Sequence, residues 1–306
     1  MRAAGASGLL FGVGAYAMWG LFPAFFPLLK PAGALEILAH RVLWTCVFMV
    51  VVVAAARRIA DLRAIAARTW LLLLCASALI SANWGIYIYA VNNGHVVDAA
   101  LGYFINPLVT VALGLILFRE RLNRAQFAAL VIAVAAVAVL SAEAHTVPVI
   151  GLGLALSFGL YGAVKKTVPT DPRVSVAVEA AAATPVAIGY LAVLQAGGQS
   201  TFTGHGGGHV ALLMLSGVLT ALPLLFFAAA AHRLPMITIG VLFYLTPVMQ
   251  LTWGVVIGHE PMPALRWLGF ALIWFALLMF TVDAFVQATA ARRGGGDFAN
   301  FVNSHS

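Results

Sequence analysis

Long apolar stretches occupy most of this 306-residue chain, and each is close to the ~20 residues that an α-helix needs to cross a bilayer. Only 9% of the residues are charged and 63% are hydrophobic, whereas an average soluble domain carries about 25% charged residues. Such a chain cannot cover a surface that faces water. The sequence therefore predicts an all-α integral membrane protein with ten transmembrane helices, at 7–29, 36–56, 70–92, 97–118, 126–142, 149–166, 174–195, 210–231, 237–258 and 266–287.

The positive charges are distributed unevenly between the predicted loops. If the N-terminus is cytoplasmic and the spans alternate, 14 of the 17 Lys and Arg residues fall on the cytoplasmic side. The other three, Lys30, Arg41 and Arg266, fall on the opposite side. Because positive residues favour cytoplasmic loops, the pattern predicts that both termini are cytoplasmic. The net charge of +7 then reflects topology, and we expect no nucleic-acid partner.

Two segments of the chain resemble each other at a constant spacing. A shift of 140 residues places GYFINPLVTVALGLILFRE (102–120) on LFYLTPVMQLTWGVVIGHE (242–260). The shift aligns Pro107 with Pro247 and Glu120 with Glu260. Matched residues at identical spacing in two apolar segments are typical of an internal duplication.

This duplication divides the predicted spans into two halves of five, residues 1–145 and 146–290, followed by a flexible tail at 291–306. Five is odd, so the second half should cross the membrane in the opposite sense. Inverted repeats of this kind are common in transporters, with the solute site near the bilayer midplane between the halves. A duplication kept only for packing is the alternative. The Gly-rich connector at 197–209 is expected to be flexible.

Polar and aromatic residues recur at helical spacing on several predicted spans. Tyr103 and Asn106 share one face of the fourth span, and Pro107 and Pro247 are expected to interrupt the fourth and ninth spans. Polar faces are costly against lipid, so they should face the interior. The alternative is that these groups only form hydrogen bonds between packed helices. The candidate cavity residues are Trp19, Asn83, Tyr87, Tyr103, Asn106, Tyr161, Tyr244 and Gln250.

Ionisable residues near the predicted spans suggest further roles. Glu36 and His40 lie four residues apart on one helix face, and such a pair could relay protons. The favoured alternative is an ion cluster exposed to water at the outer mouth, together with the adjacent Arg41. In the second half, Glu179 is expected to pair with Lys165, Lys166 or Arg173. Glu120 and Glu260 are expected to cap the N-terminus of the helix that follows each of them.

The sequence carries no recognisable catalytic or nucleotide-binding motif. It has no P-loop, no His-Glu-x-x-His and no Gly-x-Ser-x-Gly, so we expect neither an enzyme nor a cofactor. Cys46 and Cys75 lie within predicted spans, and we expect them to pack as small apolar side chains and not to bind a metal. Without an ATP-binding loop, any concentrative transport would be driven by an ion or solute gradient.

Three segments resemble a known family: EILAHRVLW (36–44), NWGIYIYAVNNGHVVDAALGYFINPLV (83–109) and LGLALSFGLYGAVKK (152–166). They are similar to the RarD-type members of the EamA family, in the drug/metabolite transporter superfamily. The resemblance implies ten helices in two inverted five-helix halves, in a bacterial inner membrane with both termini inside. It also implies a permease of the group associated with chloramphenicol sensitivity or resistance. Other branches of the superfamily move amino acids, metabolites or nucleotide sugars.

These features together predict a secondary transporter that exports a small amphipathic metabolite or drug by alternating access. Its partners would be the small-molecule substrate, the lipid bilayer and a coupling ion such as a proton, with Glu36 and His40 as the candidate coupling residues. An uncoupled facilitator is one alternative, and a membrane scaffold or sensor without transport activity is another. The sequence does not distinguish a monomer from a homodimer.

Overall fold

The computed structural model describes residues 2–63, 65–118, 123–144, 148–231, 242–279 and 282–283, and every regular element in these ranges is helical. A 3₁₀ turn (Phe26–Leu29) follows α2, and a π turn (Trp253–Ile257) follows α11. The helices are α1 (Arg2–Gly20), α2 (Phe22–Phe25), α3 (Ala34–Ala55), α4 (Ile59–Arg63), α5 (Ala67–Asn92), α6 (Val96–Phe118), α7 (Arg124–Ala144), α8 (Val149–Thr167), α9 (Pro172–Ala196), α10 (Gly206–Ala231), α11 (Leu245–Thr252) and α12 (Ala264–Met279).

Within the described residues, apolar helices overlap the predicted spans. Four of them, α3, α5, α9 and α10, are long and apolar enough to cross a bilayer. The apolar part of α1 and the segment 22–29 pass the same test together, although a bend of 43° separates them. Five shorter apolar helices occupy the remaining predicted positions. The prediction of an all-helical integral membrane protein is confirmed, whereas the count of ten and the inverted arrangement stay predictions.

Two compact units make up the structure. The first takes residues 1–113 and 148–261, and the second takes 114–147 and 262–306. The first unit therefore contains most of the long helices, and the second contains α7 and α12. This grouping reflects contacts between helices, whereas the predicted halves reflect the repeat in the sequence. The division at residue 145 stays a prediction.

The first unit is organised around α3, which packs against α9 and α10. The Thr45 hydroxyl donates to the Gly217 carbonyl over 3.2 Å. A Cβ atom at Gly217 would lie 2.5 Å from the Thr45 nitrogen and closer still to Trp44. Real Cβ contacts are essentially never under 3.0 Å, so α3 and α10 meet backbone to backbone at this point.

The two prolines of the repeat differ, because the helix continues through Pro107 whereas a turn at Tyr244 breaks the ninth span just before Pro247. Helix α6 continues from Val96 through Pro107 to Phe118, so the expected interruption at Pro107 is wrong. In the other copy a turn at Tyr244 precedes α11, and Pro247 lies in the first turn of that helix. Backbone N–H groups in a first turn have no partner within the helix, so proline costs little there.

In the second unit, α7 begins with reciprocal hydrogen bonds between Asn123 and Gln126. The Asn123 side chain accepts from the Gln126 amide over 2.8 Å, and the Asn123 amide donates to the Gln126 side chain over 3.2 Å. Both side chains also donate to the Asp283 carboxylate, at 2.7–3.0 Å. This capping box satisfies backbone donors that the helix itself leaves without partners.

Candidate solute-binding site

A small cavity lies in the first unit, between α3, α5, α8, α9 and α10. Its volume is about 20 Å³, which is room for about one water molecule. Hydroxyl, carboxyl and indole groups line it together with aliphatic side chains. The lining residues are Val42, Thr45, Ile80, Ser81, Trp84, Tyr161, Val176, Glu179, Ala180, Ala183 and Leu224.

A network of charged and hydroxyl groups surrounds Glu179 at this cavity. Lys165 Nζ lies 2.6 Å from Glu179 Oε1, which also accepts from the Ser175 hydroxyl over 2.7 Å. The Tyr161 hydroxyl donates to Glu179 Oε2 over 3.0 Å. Glu179 is 5% exposed, so its charge depends on these partners rather than on water. The predicted pairing of Glu179 with Lys165 is confirmed.

Arg41 packs on the indole of Trp84, one of the residues that line the cavity. Its guanidinium carbon is 4.3 Å from the centre of the Trp84 ring, 5.0 Å from that of Phe22 and 5.5 Å from that of Phe26. Its Nε donates to the Thr220 hydroxyl over 2.6 Å. The residue is only 2% exposed. Three aromatic faces and one hydroxyl therefore hold a fully buried cation.

Glu36 and His40 are also buried, each 3% exposed. Glu36 Oε1 accepts from the Thr201 amide over 2.7 Å, and the His40 ring stacks on Phe202 with 4.7 Å between ring centres. Two sequence expectations are therefore wrong. The EILAHR segment is not an ion cluster exposed to water, and part of the connector at 197–209 packs on α3 instead of being free of it.

Three of the predicted cavity residues belong to one continuous run of aromatic rings. The centre of the Tyr87 ring lies 5.9 Å from that of Phe26 and 5.6 Å from that of Tyr103. Phe158 continues the run, 6.5 Å from Tyr103 and 5.9 Å from Tyr161. The rings thus extend from the phenylalanines around Arg41 to the tyrosine that binds Glu179. Of the eight predicted cavity residues, Tyr161 also lines the cavity itself.

The two predicted asparagines connect their helices to α8. Asn83 donates to the Leu154 carbonyl and to the Ser157 hydroxyl, both over 2.9 Å. Asn106 donates to the Ala155 carbonyl over 3.2 Å. These are hydrogen bonds between packed helices, which was the alternative interpretation of both residues.

The remaining predicted residues lie between α1 and the segment around α11. Gln250 donates to the Trp19 carbonyl over 3.3 Å. The centre of the Phe243 ring lies 5.8 Å from that of Tyr16 and 6.3 Å from that of Tyr244. Trp19, Tyr244 and Gln250 therefore contribute to a second aromatic group and are not among the residues that line the cavity.

Comparison with known proteins identifies the family of this chain. The sequence profile of the EamA-like transporter family matches residues 6–142. "Protein RarD" of Streptomyces exfoliatus is 48% identical over 94% of this chain and 91% of its own length. This chain belongs to the EamA family. It is a RarD-type permease and hence a membrane transporter of the drug/metabolite type.

Two further comparisons agree with the family assignment. "Uncharacterized transporter YojE" of Bacillus subtilis (strain 168) is 42% identical to this EamA-family transporter, over 90% of this chain and 93% of its own. A solved crystal structure with 19% identity covers 92% of this chain and 99% of its own, with a TM-score of 0.60. The transporter therefore shares its fold with a chain of remote sequence.

A carboxylate caps the N-terminus of α6 in this EamA-family transporter. Glu260 accepts from the amides of Val96 and Val97, over 2.7 and 2.8 Å. Burial raises the pKa of the Glu260 carboxyl, and the two amide hydrogen bonds offset part of that rise. The sequence predicted a cap on the following helix, which is wrong, because the capped helix lies 164 residues earlier in the chain. Glu120, its counterpart in the repeat, lies outside the described residues.

Sequence reasoning missed the residues that surround Arg41, namely Phe22, Trp84 and Thr220. The available signal was Arg41 itself, since a charged residue inside an apolar span is costly and marks a functional site by default. The distribution of positive charges instead places Arg41 on the outer side of the membrane. No pattern in the sequence singles out Thr220, which is 179 residues from Arg41.

Proposed function

We propose that this permease is a secondary transporter that exports a small amphipathic metabolite or drug by alternating access through the first unit. The observation that carries the proposal is the buried cavity bordered by Trp84, Tyr161 and the neutralised Glu179. Binding sites for small solutes combine apolar or aromatic walls with a few fixed polar groups. The lining of this cavity has that composition.

The size of the cavity supports a transport cycle with moving helices. At about 20 Å³ it is too small for any organic solute. A solute could enter only if the helices around it separate, on one side of the membrane at a time.

The predicted inverted repeat supplies a basis for that movement. We propose that residues 1–145 and 146–290 are the two halves, with the termini in the cytoplasm and the protein in the inner membrane. The match of the family profile to residues 6–142, which covers nearly all of the first half, supports this division. In inverted repeats, alternating access arises when one half rocks against the other.

Glu36 and His40 are the candidate residues for proton coupling. Neither ring nitrogen of His40 has a hydrogen-bond partner among the described residues, and Glu36 lies one helical turn before His40 on α3. A histidine that can gain a proton inside a bundle can couple proton movement to a change of state. Glu36→Gln would remove the acidic member of the pair while keeping its shape.

Solute flux in proteoliposomes tests the proposal. We expect saturable flux of at least one solute from a panel of labelled aromatic amino acids, aromatic carboxylates and chloramphenicol. Tyr161→Ala should lower that flux at least tenfold, because it removes a cavity wall and a donor to Glu179. Asn83→Ala and Asn106→Leu test the two predicted asparagines in the same assay. Flux unchanged in folded variants would contradict their assignment to the path.

The two alternatives predict different results in the same assay. For an uncoupled facilitator, flux ignores an imposed pH or sodium gradient and Glu36→Gln remains fully active. For a scaffold or sensor, no solute in the panel shows saturable flux. A gradient-dependent flux that Glu36→Gln abolishes would exclude both.

A further inference from the structure

Arg41 is a buried cation without a counter-ion. Within the ranges that the structure describes, no carboxylate lies within 4.0 Å of its guanidinium group, and the buried nitrogen Nη1 has no hydrogen-bond partner. Helix α3 begins at Ala34, so Arg41 lies about 10 Å along the helix from its start. Arg41 is 2% exposed, so its guanidinium group has almost no contact with bulk water.

The contacts that Arg41 does make offset only part of the cost of burying its charge. One neutral hydrogen bond to Thr220 satisfies Nε, and the rings of Phe22, Phe26 and Trp84 add cation–π attraction. A guanidinium group has five N–H donors and stays protonated in proteins. Burial of such a group is normally compensated by an anion.

The nearby carboxylates of the same unit are already engaged elsewhere. Glu179 has Lys165 as its own cation, 2.6 Å away. Glu36 accepts from the Thr201 amide over 2.7 Å and, among the described residues, forms no ion pair with Arg41. Charge compensation of Arg41 therefore has to come from a group outside this part of the chain.

We propose that Arg41 binds the carboxylate of the transported solute, and that the solute class is an aromatic or otherwise apolar monocarboxylate. A single positive charge matches one negative charge, which favours a monoanion over a phosphate dianion. The surrounding rings suit an apolar body. This inference rests on the proposed transport function and specifies its substrate class.

Tyr87 supplies a second donor for the same ligand. Its hydroxyl is buried and has no partner among the described residues. Its ring and the Arg41 guanidinium both contact Phe26, at 5.9 and 5.5 Å from the ring centre. A guanidinium group and a phenol beside one aromatic wall can orient a carboxylate while the wall covers the apolar part of the solute.

Equilibrium binding to purified protein in detergent tests the inference with a matched pair of probes. We expect 3-phenylpropionate to bind saturably, and the isosteric neutral 3-phenylpropanamide to bind about tenfold more weakly or worse. Inorganic phosphate should give no saturable binding. Arg41→Gln should abolish the preference for the acid, whereas Arg58→Gln, at an exposed arginine, should keep it.

Three results would overturn the assignment: equal binding of acid and amide, no saturable binding of the acid, or an Arg41→Gln variant that still prefers the acid. If Arg41→Gln does not fold, the comparison of acid and amide on the wild type decides, together with Thr220→Val. That variant removes the hydroxyl that accepts from Arg41 Nε and should weaken binding of the acid. Binding of the acid without flux would contradict the transport proposal and leave Arg41 as an anion site. Flux of neutral solutes without a preference for the acid would support the transport proposal and contradict the assignment of Arg41 as a carboxylate site.

Discussion

Glu179→Gln should lower the free energy of unfolding by about 3 kcal/mol, because it leaves the charge of Lys165 in a partly buried position without its partner. Lys165 is 24% exposed and Glu179 only 5%, so water can replace little of the lost interaction. The variant also takes a charged acceptor from the Tyr161 hydroxyl. Unfolding in detergent micelles titrated with SDS measures the difference.

A double variant separates the charge effect from a packing effect. Lys165→Met combined with Glu179→Gln removes both charges and should recover most of the lost stability. Asp61→Asn is the matched control, because the Arg58–Asp61 pair is exposed and should change stability by less than about 0.5 kcal/mol. A double variant that is less stable than Glu179→Gln alone would show that the pair is not coupled as described.

Gly217→Ala should cost about 3 kcal/mol or abolish folding, because the added methyl group overlaps the backbone of α3 at Trp44 and Thr45. The neighbouring atoms belong to a helix backbone and cannot rotate away as a flexible side chain could. The two helices would have to separate, and the hydrogen bond from Thr45 to the Gly217 carbonyl would be lost with them. Thermal unfolding of the purified variant measures the loss.

Gly162→Ala is the control for this substitution. Gly162 lies in α8, and a Cβ atom there would meet nothing within 4 Å. Alanine is the better helix former by about 1 kcal/mol, so this variant should be as stable as the wild type or slightly more stable. Equal stability of the two variants would contradict the close approach of α3 and α10.

The sequence predicted the features that depend on local pattern. Apolar length placed the helices, and Tyr161 and Lys165, four residues apart, share one face of α8 by helical spacing. These features need only the 1.5 Å rise and the 3.6-residue turn of a helix. They could therefore be worked out without knowledge of the tertiary structure.

The features that the sequence did not predict depend on contacts between distant parts of the chain. Arg41 was assigned to a water-exposed mouth, because its neighbours Thr220 and Trp84 lie on other helices. The partner of Glu260 was assigned to the next helix for the same reason, although it caps α6. For Glu260 local spacing gave the right kind of interaction and the wrong partner, whereas for Arg41 it gave the wrong environment.

The proposed transport cycle requires that the cavity of the first unit opens to each side of the membrane in turn. Ser81 lines that cavity, and Ser81→Cys changes one atom of the side chain. The assay needs a background in which Cys46 and Cys75 are replaced by serine. The control is Val186→Cys, near the middle of α9 and 76% exposed on the apolar surface of the bundle, where lipid should exclude a water-soluble reagent.

The decisive measurement is labelling of Ser81→Cys by a membrane-impermeant thiol reagent, applied to one side of sealed vesicles at a time. Alternating access should give labelling from both sides, at rates that a bound solute or an imposed gradient shifts in opposite directions. Val186→Cys should stay unlabelled from either side. Labelling of Ser81→Cys from one side only, or from neither, in a folded protein would contradict alternating access through this cavity.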